Sequence, residues 1–167
     1  MTRNLLFRPA ELGDLDQLIE FSAAMAFETE GRTLERTRLR EGILGILTEP
    51  ERGFFRVAET AGRDGARVVG QMMVTYEWSD WRNATFWWIQ SVYVTPSCRR
   101  QGVYRAMHDA IRREARQTLG VCGIRLYVEG DNQTAQHAYR QAGMRMSSYQ
   151  VYEEDFILPP QERKEPT

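Results

Sequence analysis

Two periods of apolar and polar residues alternate along this chain, and the switches between them mark its elements. Leu5–Arg8 reads as a short strand closed by Pro9. Asp14 stands where it can cap a helix whose Leu15, Leu18, Ile19, Ser22 and Met25 keep helical spacing. Glu28-Thr29-Glu30-Gly31-Arg32 is a polar break. A second helix then opens at Thr33 or Leu34, with Leu39, Ile43, Ile46 and Leu47 on one face and Pro50 at its end. Gly42 and Gly45 each weaken it by about 1 kcal/mol relative to Ala, which predicts a mobile element. Phe54–Glu59, Val68–Glu77 and Thr85–Val94 are apolar runs joined by Ala61–Gly65 and Trp78–Asn83, the signature of an antiparallel meander.

Past Gly102 the period returns to helical. Val103, Met107, Ala110 and Ile111 face inward, with Arg105, Arg112, Arg113 and Arg116 outward. Ile124–Val128 is a β-run, and the path from Thr85 through the helix to it predicts a right-handed parallel crossover. A helix follows Asn132, then a last pair of strands around Met144–Met146 and Tyr149–Phe156. Pro159–Thr167 reads as a disordered tail. Residues 1–158 are therefore expected to form one α/β domain.

Composition narrows the class of protein. At 167 residues, 42% hydrophobic and 27% charged, the chain suits one sizeable core. Its net charge of −1 argues against a nucleic-acid footprint. Cys98 and Cys122 make neither a disulfide framework nor a four-ligand zinc site. His108 and His137 lie on helices without metal-like spacing, which predicts surface or partly packed residues and no metal. Met1–Arg8 holds no long apolar run, so neither leader nor membrane span is expected, and the reading is a cytoplasmic protein. A nucleophile elbow, a P-loop and a dinucleotide fingerprint are all missing.

Chemistry enters at Val92-Tyr93-Val94-Thr95-Pro96-Ser97-Cys98-Arg99-Arg100-Gln101-Gly102-Val103-Tyr104-Arg105-Ala106-Met107. An apolar strand runs into a basic turn and then a helix start. Such a start leaves about four N–H groups unpaired and carries roughly half a positive charge, a site for phosphate or pyrophosphate. Arg99, Arg100 and Arg105 add charge, and Gly102 lets the backbone approach the anion. Downstream, Asn132-Gln133-Thr134-Ala135-Gln136-His137-Ala138-Tyr139-Arg140-Gln141-Ala142-Gly143-Met144 opens a second helix.

Together the Arg-x-x-Gly turn after a strand and the Asn-x-x-Ala-x-x-x-Tyr-x-x-x-Gly run resemble the GCN5-related N-acetyltransferase (GNAT) superfamily, over roughly Val68 to Phe156. The resemblance implies a mixed, mostly antiparallel twisted sheet flanked by helices, with a splayed strand pair that takes acetyl-CoA. It implies that the pyrophosphate lies at Arg99, Arg100, Gln101, Gly102, Val103, Tyr104 and Arg105. It also implies that the pantetheine arm lies beside Val92, Tyr93, Val94 and Asn132. One departure stands out: the family usually has Gly or Ala where this chain has Tyr104.

Acetyl transfer to an amine needs a neutral amine, a stabilised oxyanion and a protonated leaving thiolate. Main-chain groups of Val92 and Val94 are expected to be open on the splayed side, where an amide-bearing arm can pair with them. Either N–H can hold the oxyanion. Tyr139 shares a helical face with Ala135 and Ala142, and the resemblance gives it the role of general acid. Asn132 can cap its helix or, if Asp131 caps, bond a ligand amide. Glu28, Glu30, Glu77 and Asp80 are candidate general bases, with water as the alternative. Trp81, with Trp78, Trp87 and Trp88, can wall an acceptor site for an apolar or cationic amine, or bury a homodimer contact. The expected partner is a small-molecule or peptide amine. The rival readings are an acyl-CoA-binding sensor without turnover and an interaction module built on the tryptophan hairpin.

Overall fold

The computed structural model describes residues 5–62 and 65–158. Strands β1 (Leu5–Pro9), β2 (Gly53–Gly62), β3 (Gly65–Ser79), β4 (Ala84–Val94) and β5 (Val121–Leu126) form one sheet in that order. Helices α1 (Leu15–Glu30) and α2 (Arg36–Thr48) precede β2, α3 (Val103–Gln117) joins β4 to β5, and α4 (Gln133–Gln141) follows β5. The first four strands pair antiparallel, and β5 runs parallel to β4. The expected mixed sheet is present. Arg63 and Asp64 of the first hairpin loop and the tail Pro159–Thr167 lie outside the described residues.

Each sheet face has its own core. Val103, Met107, Ile111 and Ala115 of α3 pack on Val69, Met72, Val74, Trp87 and Ile89. On the other face Leu15, Leu18 and Ile19 of α1 and Ile43 of α2 pack on Phe55 and Val57. Strand alternation sorts the apolar residues between these two layers, which is why β2 to β4 read as nearly continuous apolar runs. Beyond the sheet's middle, Gly123 of β5 marks a close approach. A Cβ there would come within 2.7 Å of the Phe86 ring.

Several boundaries differ from the sequence reading. Asp14 does not cap α1 with its side chain. Its carboxylate instead takes the Arg8 guanidinium at 2.8 Å and the Glu11 N–H at 2.8 Å, which closes a short 3-10 turn. The Arg8 hydrogen bonds hold that carboxyl below its usual range. α2 opens later than Thr33, because Gly31 ends α1 in the left-handed conformation and the chain must turn before a new helix starts. Glu35 caps it, accepting from Thr37 N–H at 2.7 Å and Arg38 N–H at 2.8 Å.

Met144–Met146 and Tyr149–Phe156 form no strands. Tyr149, Val151, Tyr152, Phe156 and Ile157 fall on both sides of any pleat, so no single face can be buried, and all five are exposed. Asp155 then bends the chain, accepting from the N–H groups of Ile157 and Leu158. His108 also departs from expectation. It is 2% exposed, buried beside the Tyr104 ring of the same helix rather than at the surface.

Candidate active site

β4 changes character halfway along. Its pairing with β5 runs only from Thr85 to Ile89. Its register with β3 skips Gln90, so a bulge falls where β5 departs. Past the bulge β4 keeps β3 on one side alone. The Thr95 N–H bonds the Val69 carbonyl at 2.9 Å, and antiparallel alternation then turns the main-chain groups of Val92 and Val94 away from β3, into the gap. Of these, the Val94 carbonyl is taken: it accepts from Arg99 Nε at 2.8 Å. The side chains of Val92 and Val94 pack toward α3, while the Tyr93 ring lies against Phe21 of α1.

Beyond Val94 the basic turn delivers α3. Arg100 has φ 60° and Gly102 φ 78°, two left-handed residues that point successive N–H groups toward one side. No side chain caps α3, and its first backbone bond runs from Ala106 N–H to the Gly102 carbonyl. The N–H groups of Val103, Tyr104 and Arg105 are therefore left over. A Cβ on Gly102 would meet nothing within 4 Å, so open space lies before the turn. Those donors and that space fit a pyrophosphate.

The side chains of the turn divide. Arg99 does not face the turn's open space; its Nη2 donates to Glu28 at 2.6 Å, tying β4 to α1. Gln101 folds back onto the Ser97 carbonyl at 2.8 Å, and Val103 is core. Arg100 and Arg105 are exposed beside the turn, Arg105 with Asp109 at 4.0 Å. Only these two arginines remain to add charge around an anion.

α4 stands on the α3 side of the gap. Asn132 caps it, its Oδ1 accepting from Ala135 N–H at 3.0 Å, so Asp131 does not free that oxygen. Tyr139 packs edge-on against Tyr104 with ring centroids 5.7 Å apart. Burial raises the Tyr139 phenol above its usual range and so keeps its proton on at neutral pH.

Across the gap, on the α1 side, Glu28 accepts from Tyr93 Oη at 3.1 Å as well as from Arg99. The Tyr93 phenol is pushed up by burial and by that carboxylate. Of the four candidate bases only Glu28 reaches the open half of β4. Glu30 lies near Arg32 at the end of α1, 3.9 Å away. Glu77 pairs with Arg125, whose guanidinium covers Phe86, in the half of β4 that β5 closes. Asp80 and Trp81 sit in the hairpin at the far end of β4, and Asp80 accepts the Trp81 N–H. The structure therefore does not bring Asp80 or Trp81 to the gap. The four tryptophans do not form one wall either: Trp87 is core, and Trp78 and Trp81 are exposed.

One residue the sequence reading passed over stands at the gap, beside Trp88 of the expected aromatic wall. Tyr127, just past β5, lies against Trp88 with centroids 4.5 Å apart, and the Trp88 Nε1 is buried without an acceptor among the described residues. Strand alternation could have found this pair, since Arg125 and Tyr127 share the face of Trp88. No group of three or more metal-type ligands occurs among the described residues, and no helix of the described residues is long and apolar enough to cross a membrane.

An open strand edge, an uncapped helix after a basic turn and a phenol on the next helix define an acyl-CoA transfer architecture. Residues 15–144 match the model of the acetyltransferase (GNAT) family, and the chain belongs to that family. It is an acetyl-CoA-dependent acyltransferase. Among solved structures it is similar to a possible acetyltransferase from Clostridium difficile 630, with 36% identity, TM-score 0.83, and 92% of this chain and 99% of that chain covered. An aminoglycoside N-acetyltransferase in complex with CoA shares the fold at TM-score 0.70 and 12% identity, over 94% of this chain and 98% of its own. A ribosomal-protein-alanine N-acetyltransferase from Brucella melitensis biovar Abortus 2308 shares it at TM-score 0.69 and 15% identity, over 91% and 99%. No curated protein matches.

Proposed function

We propose that this enzyme transfers the acetyl group of acetyl-CoA to a primary amine by direct attack in a ternary complex. The observation that carries the reading is the open half of β4, with Tyr139 on one side and Glu28 on the other. The pyrophosphate lies on the bare N–H groups of Val103, Tyr104 and Arg105, with Arg100 and Arg105 adding charge. The pantetheine arm pairs with the main chain of Val92 and with the Val94 N–H as an added strand. The acceptor approaches from the α1 side, past Glu28, Trp88 and Tyr127.

Attack forms the C–N bond as the amine gives up a proton to Glu28 or to water. The Val92 or Val94 N–H stabilises the oxyanion, because it is fixed in place and aimed into the gap before reaction. Collapse breaks the C–S bond, and Tyr139 gives its phenolic proton to the sulfur. Aminoglycosides and ribosomal-protein alanine are acceptors of similar structures by name, and both can offer an amine.

Tyr139→Phe is the test. The ring and its packing on Tyr104 remain, so the variant should fold and bind acetyl-CoA. Its kcat should fall by about 10²–10⁴-fold at neutral pH. Thiolate leaves unprotonated at high pH, since a free thiol has a reference pKa of about 8.5, so the deficit should shrink in alkaline buffer. A kcat near wild type at neutral pH would take the acid role away from Tyr139.

A further inference from the structure

Tyr104 belongs to two parts of the site at once. Its main chain is the second residue of α3, one of the bare N–H donors before the open space. Its side chain leaves the turn altogether. One side of the ring meets Tyr139 at 5.7 Å and 62°, and His108 lies one helical turn on at 6.0 Å. A further turn along, Arg112 donates to the Ala142 carbonyl at the end of α4 at 3.5 Å. Tyr104, His108 and Arg112 thus follow each other at i, i+4 and i+8, and this stripe is the seat of α4 on α3.

Among the described residues no hydrogen bond to protein holds the Tyr139 hydroxyl, and the ring packs on Tyr104, so packing aims it. Among the described residues the Tyr104 hydroxyl is buried without a partner, as are both nitrogens of His108. A buried polar group left unpaired costs stability, which makes the ring rather than the hydroxyl the useful part of Tyr104. Titratable or charged groups facing this seat are Tyr104, His108, Asp109 and Arg112 from α3 and Tyr139 from α4. None accepts a hydrogen bond from the Tyr139 phenol.

We propose that Tyr104 is a positioning residue for Tyr139: its backbone serves the pyrophosphate while its ring sets where the phenol of the acid points. The proposal rests on Tyr139 being the general acid. A small residue at position 104 would leave a gap under the Tyr139 ring and let the phenol wander from the sulfur. Misplacement by about 1 Å costs rate on the order of 10²-fold.

The experiment compares Tyr104→Phe, Tyr104→Ala, Tyr139→Phe and the double variant Tyr104→Ala/Tyr139→Phe. Acetyl-CoA affinity is measured by calorimetry, and kcat at neutral and alkaline pH. Tyr104→Phe keeps the ring and should hold kcat within about twofold. Tyr104→Ala should lose about 10–100-fold in kcat at neutral pH, keep acetyl-CoA affinity within about threefold, and recover part of the loss in alkaline buffer. The double variant should be no slower than Tyr139→Phe alone, because both changes remove one act of proton donation.

Wild-type kcat in Tyr104→Ala beside a slow Tyr139→Phe would overturn the positioning role and leave the acid role standing. A fast Tyr139→Phe would instead remove the acid role and the positioning role with it. An additive double variant, or a Tyr104→Phe as slow as Tyr104→Ala, also overturns the proposal. If Tyr104→Ala does not fold, Tyr104→Leu carries the same comparison.

Discussion

The two halves of β4 share a strand and little else. From Thr85 to Ile89 both edges are paired, β3 on one side and β5 on the other, and charged neighbours such as Glu77 and Arg125 neutralise each other. From Gln90 to Val94 one edge is left without a strand, at the bulge where β5 departs. A buried or half-buried peptide group without a partner is costly, so an open edge persists only where something else satisfies it. At the Val94 carbonyl that partner is Arg99. At Val92 none exists among the described residues, and the free edge leads directly to the bare N–H groups of α3. The lesson is that the proposed site falls on the part of the sheet left unfinished.

Gly102→Val tests the end of that open half most severely. Gly102 is left-handed, where a β-branched residue costs roughly 1–2 kcal/mol, and its missing Cβ keeps the space before the turn clear. Relaxing the strain would turn the N–H groups of α3 away from the phosphates, each such charge-assisted bond being worth about 1.5–3 kcal/mol. Together these predict that acetyl-CoA affinity falls by about 30–100-fold, read by calorimetry. Unchanged affinity would move the pyrophosphate off this turn and deprive the open half of its anchor.

Glu28→Gln probes the other wall with a smaller expected effect. The amide keeps the shape of the side chain but loses the charge that meets Tyr93 and Arg99. If Glu28 receives the amine or its proton, kcat/KM for the acceptor should fall about tenfold while acetyl-CoA affinity holds. If it is only a tie between α1 and β4, the loss should appear in Tm instead. A half-exposed ion pair contributes about 1 kcal/mol or less, so that shift would be a few degrees.

Legibility follows the range of the interaction that forms each feature. α3 was readable because its apolar residues are spaced by its own geometry, and four of them are the core side of the helix. The turn proposed to hold the pyrophosphate was readable as a shape because main-chain donors after a glycine are a local property. Tyr139 was singled out as the candidate acid through resemblance to a family, and its helix face alone did not mark it. Glu28 stood among four equal carboxylates, because what distinguishes it lies 65 and 71 positions away, at Tyr93 and Arg99. Asp14 misled for a different reason: capping α1 was one local option, and the Arg8 guanidinium six positions back, together with the Glu11 N–H, took its carboxylate instead. The C-terminal run has strand-forming residue types without a single buried face, and type alone overstated it.

The last prediction concerns the closed end, where little should happen. The grouping of four tryptophans in one hairpin suggested an acceptor wall, but strand period and length disperse them. Trp81 is 83% exposed, in the turn before β4 begins. At about 3.3 Å per residue, the gap past Ile89 lies on the order of 20 Å away. Trp81→Ala should therefore leave the amine KM, kcat and acetyl-CoA affinity within about twofold in steady-state kinetics. An exposed indole beside a paired strand has one other use, contact with a second copy, and the mass of wild type and variant in solution distinguishes it. A several-fold rise in the amine KM would mean that the acceptor reaches the hairpin. The closed half of β4 would then belong to the site, and the contrast between the two halves would no longer mark where the chemistry is.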